Sequence, residues 1–178
     1  KRQGMDVVVT NDPEVIRQAD GIILPGVGAF PAAMSNLEAC HLVPVLNEVK
    51  DKGTPILGIC IGMQLLFEEG SENGHTKGLG FLKGSVDKME VDAKLPHMGW
   101  NQLVIRQAHP LLKYVEEGDY VYFVHSYSAH CPEDQIGAYV NYGGKEITAF
   151  VYKDNVMGTQ FHPEKSGEIG KTILRAFK

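Results

Sequence analysis

Apolar and polar positions follow two rhythms along this chain, one helical and one alternating. In the first third, short apolar runs are parted by segments with helical spacing. Met5-Asp-Val-Val-Val-Thr10 is strand-like. Asn11-Asp-Pro13 then opens a short helix over Glu14 to Ala19, because proline suits the first helical turn. Gly21-Ile-Ile-Leu24 reads as a buried strand running into the glycine-rich loop Pro25-Gly-Val-Gly28. Helical patterns cover Phe30 to Ala39 and Val43 to Lys52. The apolar run Thr54 to Ile59 is a strand, followed at once by a helix-like stretch from Ile61 to Glu69. Strands parted by helices predict a parallel sheet covered on both faces.

The second half reads as strands: Phe81 to Val91, Asn101 to Arg106, Tyr120 to His125, Gln135 to Tyr142, Glu146 to Tyr152 and Val156 to Phe161. Asn141-Tyr-Gly-Gly144 marks a hairpin. A last helix spans about Ser166 to Phe177, with Ser166 as its N-cap. The pattern predicts one three-layer α/β domain: a mixed, mostly parallel sheet with flanking helices and an added antiparallel section. Lys1, Arg2, Gln3 and Gly4 look like the tail of a helix, so a preceding strand–helix unit of roughly twenty residues is expected ahead of Met5.

Composition narrows the function without naming it. With 178 residues the chain can bury a substantial core as one domain. A net charge of −5 and the absence of a Lys/Arg run argue against a nucleic-acid surface. No apolar stretch approaches the ~20 residues of a membrane span. Cys40, Cys60 and Cys131 are odd in number and lack metal-ligand spacing, which favours a reducing compartment, read as the cytoplasm.

Cys60 changes the picture. It stands between the strand ending at Ile59 and the helix opening at Ile61, where a sharp turn holds a side chain out at the sheet's end. Gly58 and Gly62 suit a close approach of strand and helix, and the helix start favours a thiolate. About a hundred residues on, Gln160-Phe-His-Pro-Glu164 supplies a histidine and a carboxylate. Alone, a cysteine at a strand end is a small buried hydrophobe, and His-Pro-Glu is a turn. Together they form a nucleophilic triad: Cys60 attacks, His162 is base and then acid, and Glu164 orients the imidazole. In extended backbone His162 and Glu164 point the same way, with Pro163 stiffening the link. Glu164 also has a plain reading as a charge flanking the last helix. Oxyanion donors are expected from the Ile61 N–H and from Val27 in the glycine-rich loop, which otherwise is an ordinary turn. Gln64 lies one helical turn beyond Cys60 and can face the same pocket.

Gly58-Ile-Cys-Ile-Gly-Met-Gln64 with Gln160-Phe-His-Pro-Glu164 resembles the class I (triad) glutamine amidotransferases. Leu24-Pro-Gly-Val-Gly-Ala29, Leu95-Pro-His-Met-Gly-Trp-Asn101, Tyr122-Phe-Val-His-Ser-Tyr127 and His162-Pro-Glu-Lys-Ser-Gly167 are similar to the glutaminase subunits of imidazole glycerol phosphate synthases. The resemblance runs over nearly the whole chain and implies a flavodoxin-like sheet. It implies that Cys60 forms a γ-glutamyl thioester, and that Gly28, Gln64, Glu72, Ser126 and Tyr127 contact glutamine. Glu72 lies in a Gly70-containing loop that also allows other placements. The resemblance further implies that ammonia passes to a (β/α)8-barrel cyclase subunit, in a 1:1 heterodimer, for histidine biosynthesis; neither metal nor organic cofactor is implied.

Pro96, His97, Met98, Trp100 and Asn101 form an expected partner interface, since apolar side chains in a loop are costly when exposed and Trp100 is the only tryptophan; a loop buried within the chain itself is the alternative reading. Tyr122 joins them by resemblance, whereas strand alternation alone makes it a packed residue. The family's glutaminases are nearly silent until the partner binds its substrate. The Pro25-Gly-Val-Gly28 loop suggests a Val27 peptide that must turn before its N–H meets the oxyanion. The rivals are other class I glutaminases, a different cysteine hydrolase, and an inactive scaffolding subunit.

Overall fold

A computed structural model describes residues 3–178. Lys1 and Arg2, half of the expected helix tail, lie outside it. Met5 to Thr10 does not form a strand: Val8 and Val9 are 65% and 98% exposed, and no described strand pairs with them. β-branched residues favour a strand only where a neighbouring strand and a face to pack on are supplied. Order begins at helix α1 (Pro13–Gln18), where the Asp12 carboxylate accepts the Glu14 N–H at 2.9 Å. Such a cap contributes ~1 kcal/mol.

The next elements are β1 (Ile22–Leu24), α2 (Phe30–Ala39), α3 (Leu42–Asp51), β2 (Ile56–Ile59) and α4 (Ile61–Leu65). α4 is shorter than the helix expected to reach Glu69. The Leu66 and Phe67 N–H groups close tighter bonds to the Met63 and Gln64 carbonyls, and the carbonyls of Leu65, Leu66 and Phe67 accept the N–H groups of Leu79, Leu82 and Gly80 instead of those of a next helical turn. The chain instead leaves the helix and enters β3 (Glu69–Gly70), β4 (Thr76–Lys77) and β5 (Ser85–Lys88). β5 covers only the middle of the strand expected from Phe81 to Val91.

β6 (His97–Gln102) and β7 (Val104–Ile105) come next, then β8 (Tyr120–His125), β9 (Tyr127–His130), β10 (Ile136–Tyr142), β11 (Lys145–Lys153), β12 (Val156–Thr159) and α5 (Gly167–Phe177). The hairpin between β10 and β11 is the one expected, with Gly143 and Gly144 both at positive φ (57° and 78°), the pairing that type I′ turns require. Ser166 precedes α5 without capping it by its side chain. Its hydroxyl donates to the His162 carbonyl and accepts the Tyr122 N–H at 3.0 Å.

The central sheet has the order β1-β2-β12-β11-β10-β7, parallel across β1, β2 and β12 and antiparallel beyond. Two smaller sheets, β4-β3-β5-β9 and β6-β8, complete the mixed architecture. Phe30, Leu57, Met63, Phe67, Phe123, Phe150 and Phe161 fill the core between sheet and helices. One pairing sets the site: β12 lies beside β2 in parallel, with Thr159 opposite Ile59. The carboxyl ends of two strands a hundred residues apart therefore finish at the same sheet edge, where open α/β sheets place their ligands.

Candidate active site

Cys60 begins where β2 stops, its N–H bonded to the Thr159 carbonyl at 2.8 Å. Its φ of 55° and ψ of −112° are strained for a side-chain-bearing residue, a cost of ~1–3 kcal/mol that the surroundings must offset. Two glycines hold the turn. A Cβ on Gly62 would lie 1.8 Å from the Leu24 carbonyl oxygen, and one on Gly58 would lie 2.6 Å from the Gly62 oxygen. α4 is thus pressed against the ends of β1 and β2, and the Cys60 sulfur is aimed from the junction between them.

His162 follows β12 and is anchored by its own N–H to the Tyr122 carbonyl at 3.0 Å. Its Nδ1 is 2.6 Å from Glu164 Oε1. A carboxylate only accepts, so Nδ1 carries the proton and Nε2 is left for Cys60. The contact is made through a 3₁₀ turn, Pro163–Lys165, rather than the extended backbone expected from the sequence. Nε2 is buried and completes no hydrogen bond, although the imidazole lies close enough to Cys60 to feel it. The neighbouring Cys60 thiol, and after it Glu164, raise the His162 pKa to about 9. Burial pushes the Glu164 carboxyl up, but the bond to His162 and the nearby cations outweigh it and hold the group below its usual range.

The glycine-rich loop lies against the same turn, since a Cβ on Gly26 would meet the Ile61 Cβ at 3.0 Å. Val27 is 84% exposed and Gly28 has a φ of 94°. Glu72 reaches this loop: its carboxylate accepts the Phe30 N–H at 2.9 Å, at the start of α2. The glycine-rich loop thus packs against Ile61, the residue after Cys60, and Glu72 holds the start of the helix that follows the loop.

A hydrogen-bonded chain also reaches Cys60. Gln64, buried one turn beyond Cys60, donates from Nε2 to the Tyr127 carbonyl at 3.2 Å and to Gln160 Oε1 at 3.0 Å. Gln160 Nε2 faces the Cys60 sulfur at 3.8 Å. The same Tyr127 carbonyl lies 2.8 Å from His125 Nδ1, which must therefore donate. His125 Nε2 then accepts from His97 Nδ1 at 2.9 Å. Burial lowers the pKa of both histidines to about 4, in keeping with neutral rings of fixed tautomer. With both Gln64 N–H groups committed, its Oε1 is buried and without a partner. Ser126 is half-buried, and its carbonyl accepts the Met89 N–H. Gln160 and His125 were not singled out from sequence; the spacing of Gln160, two residues before His162, was the available signal.

Residues 97–101 are a strand rather than the expected loop. β6 pairs with β8 so that His97 faces His125, Met98 faces Val124, Trp100 faces Tyr122 and Gln102 faces Tyr120. Alternation sends these pairs to opposite faces. His97 is 3% exposed, stacked between Phe123 and Tyr142 with ring centroids 4.7 and 4.0 Å away. Asn101 shares its face and donates to the Asn141 carbonyl at 3.0 Å. His97 is thus buried and Asn101 half-buried, on the face turned away from Met98 and Trp100. Pro96, Met98 and Trp100 are exposed, Tyr122 is half-buried beneath Trp100, and Tyr120 joins them.

Two surface clefts, one lined by Lys83, Asp134 and Tyr152 and one by His109, Pro110 and Leu112, contain none of these groups. Among the described residues no His, Cys, Asp and Glu cluster is arranged to hold a metal ion, and no helix is long and apolar enough to cross a membrane.

With this geometry in hand, the family profile described as glutamine amidotransferase class-I matches residues 3–178. The imidazole glycerol phosphate synthase subunit HisH of Lactococcus lactis subsp. lactis (strain IL1403) is 54% identical over 99% of this chain and 87% of its own length. The HisH subunit of Bacillus cereus (strain G9842) is 52% identical over 98% and 83%. A crystal structure of a glutamine amidotransferase superposes with a TM-score of 0.76 at 17% identity, covering 99% of this chain and 86% of that one, a likeness of fold. The chain belongs to the class-I glutamine amidotransferase family, in its branch of imidazole glycerol phosphate synthase HisH subunits.

Proposed function

We propose that this chain hydrolyses glutamine at Cys60 and hands the ammonia to a (β/α)8-barrel cyclase subunit for histidine biosynthesis. The observation that carries the reading is the convergence of a strained Cys60 with a His162 whose Nδ1 is fixed by Glu164 at 2.6 Å. Once its proton has passed to His162 Nε2, the Cys60 sulfur adds to the side-chain carbonyl carbon of glutamine. The C–N bond then breaks, the electron pair leaving with nitrogen and His162 returning the proton, so that ammonia departs from a γ-glutamyl thioester. Water, deprotonated by His162, adds to the thioester; the C–S bond breaks and glutamate leaves. The N–H groups of Ile61 and of Val27 hold the oxyanion in both tetrahedral states.

Two orphaned atoms support a polar ligand here. Gln64 Oε1 and His162 Nε2 are buried without partners, and each such group costs ~1–3 kcal/mol unless a ligand meets it. Gln64 Oε1 accepts from the substrate; Gly28, Glu72, Ser126 and Tyr127 complete the pocket. Cys60 is 5% exposed and His162 4% exposed, a closed site suited to activation by the partner. The exposed face of Met98, Trp100 and Tyr120, with Pro96 at its edge and Tyr122 beneath, receives the cyclase in a heterodimer. A free Cys60 thiol fits a reducing compartment, the cytoplasm.

The test is glutamate release from glutamine by the chain alone, and with a histidine-pathway cyclase and its ribonucleotide ligand. Strong activation, lost in Cys60→Ala with partner binding intact, is expected. A high rate without partner would point to another glutaminase of the same family. Silence in both conditions, with the complex formed, would favour an inactive scaffolding subunit.

A further inference from the structure

We propose that Gln160 is a further catalytic residue, whose carboxamide N–H donates to the Cys60 sulfur, holds it in place and meets its negative charge when the C–S bond breaks. The proposal rests on Cys60 being the nucleophile and extends that reading to the atom beside it.

The two ends of a carboxamide have the same shape, so which end faces the sulfur must follow from bonding. Here a main-chain atom decides it. The Tyr127 carbonyl oxygen has no proton to give, so the Gln64 group 3.2 Å away must be its NH2. That NH2 lies 3.0 Å from the near end of Gln160, which must then be the oxygen. The far end, 3.8 Å from Cys60 Sγ, is therefore the NH2. Turning Gln160 alone would set two NH2 groups against each other. Turning Gln64 alone would set its oxygen against that of Tyr127. The His125 Nδ1–H on the same carbonyl, 2.8 Å away, occupies its other side and leaves the arrangement one orientation.

Gln160 is fully buried, with an exposure of 0%, and so is shielded from competing water. The separation of 3.8 Å suits a sulfur acceptor, whose lone pairs extend further than those of oxygen. A hydrogen bond to an ionised acceptor is roughly twice as strong as one to a neutral partner. The contact therefore tightens whenever the sulfur carries charge: before it attacks glutamine, and again when the C–S bond of the thioester breaks and the electron pair returns to sulfur. Gln64 acts one step back, as the positioning residue that turns Gln160.

Gln160→Met fills nearly the same volume without a donor. Gln160→Glu keeps an acceptor for Gln64 but turns a carboxylate oxygen toward the sulfur. With Cys40 and Cys131 replaced by serine, the rate at which iodoacetamide alkylates Cys60 reads the sulfur without glutamine or partner. The expected result is alkylation about tenfold slower in Gln160→Met, the effect of one hydrogen bond, and slower still in Gln160→Glu. In the complex, kcat for glutamine falls in step while KM is little changed. Wild-type alkylation and kcat in a folded Gln160→Met would overturn the assignment, as would a change confined to KM. If Cys60→Ala is inactive while Gln160→Met is not, the nucleophile stands and Gln160 falls. The bond is also read with Gln160 intact, which covers variants that fail to fold. In isotope-labelled protein, Cys60→Ala is expected to move one Gln160 side-chain amide proton upfield, and an unmoved resonance overturns the proposal.

Discussion

His162 holds its proton more tightly than a free imidazole because Cys60 and Glu164 both favour the charged ring, raising its pKa to about 9. A group whose folded pKa exceeds its unfolded value, ~6.5 for histidine, stabilises the fold fully below the unfolded value. That contribution is lost as pH rises through the folded value. Glu164→Gln removes the second cause of the shift, so the variant should unfold more easily than wild type below about pH 6.5. The difference should shrink as pH rises through about 9, the folded value. Thermal unfolding at both ends of this window checks it; an equal difference at pH 6 and pH 10 would contradict the linkage. The glutaminase activity of Glu164→Gln should fall as well, because a carboxamide can donate as well as accept and carries no charge, so it neither fixes the tautomer nor stabilises the protonated ring.

At the scale of elements, the strand–turn–helix around Cys60 depends on bare backbone. A methyl on Gly62 would sit 1.8 Å from a main-chain oxygen of β1, and no side-chain rotation relieves such a clash. Gly62→Ala should cost about 3 kcal/mol or more in denaturant unfolding, and should lower activity even in the fraction that folds. A loss under about 0.5 kcal/mol, the range of an ordinary surface change, would mean that α4 does not press on β1. This junction was legible in the sequence because its signals are local: an apolar run, two glycines and an apolar helix start within nine residues. β6 was not. Pro96 and Gly99 obscure its alternation, and its partner β8 starts eighteen residues after Gln102. Once the strand is recognised, a period of two sends His97 and Asn101 to one face and Met98 and Trp100 to the other, so their different surroundings follow from one unrecognised pairing. Met5 to Thr10 failed in the opposite way. Its residues favour a strand, but a strand needs a neighbour, and propensity does not supply one.

Over the whole molecule, the β6–β8 ribbon has one face in the core and one outside. Met98 at 61%, Trp100 at 54% and Tyr120 at 52% exposure leave aromatic and sulfur-bearing side chains in water on the outer face, the types enriched where partners dock. Trp100→Ala should weaken binding of the proposed cyclase by about 2 kcal/mol or more, the loss expected of a buried tryptophan anchor. The isolated chain should unfold much as before. Calorimetric titration of the complex beside unfolding of the chain checks both, and unchanged affinity would move the docking surface elsewhere. This ribbon also reaches the chemistry, since the Tyr122 carbonyl of β8 holds the His162 N–H, and just past the ribbon, at the start of β9, the Tyr127 carbonyl orients Gln64. That second oxygen belongs to the main chain and is present whichever side chain occupies position 127. Under the roles proposed for Tyr127 and Gln160, drift or redesign at position 127 changes what the site admits while the sulfur's alignment is inherited intact. A lineage that alters its substrate through this side chain need not first lose its nucleophile.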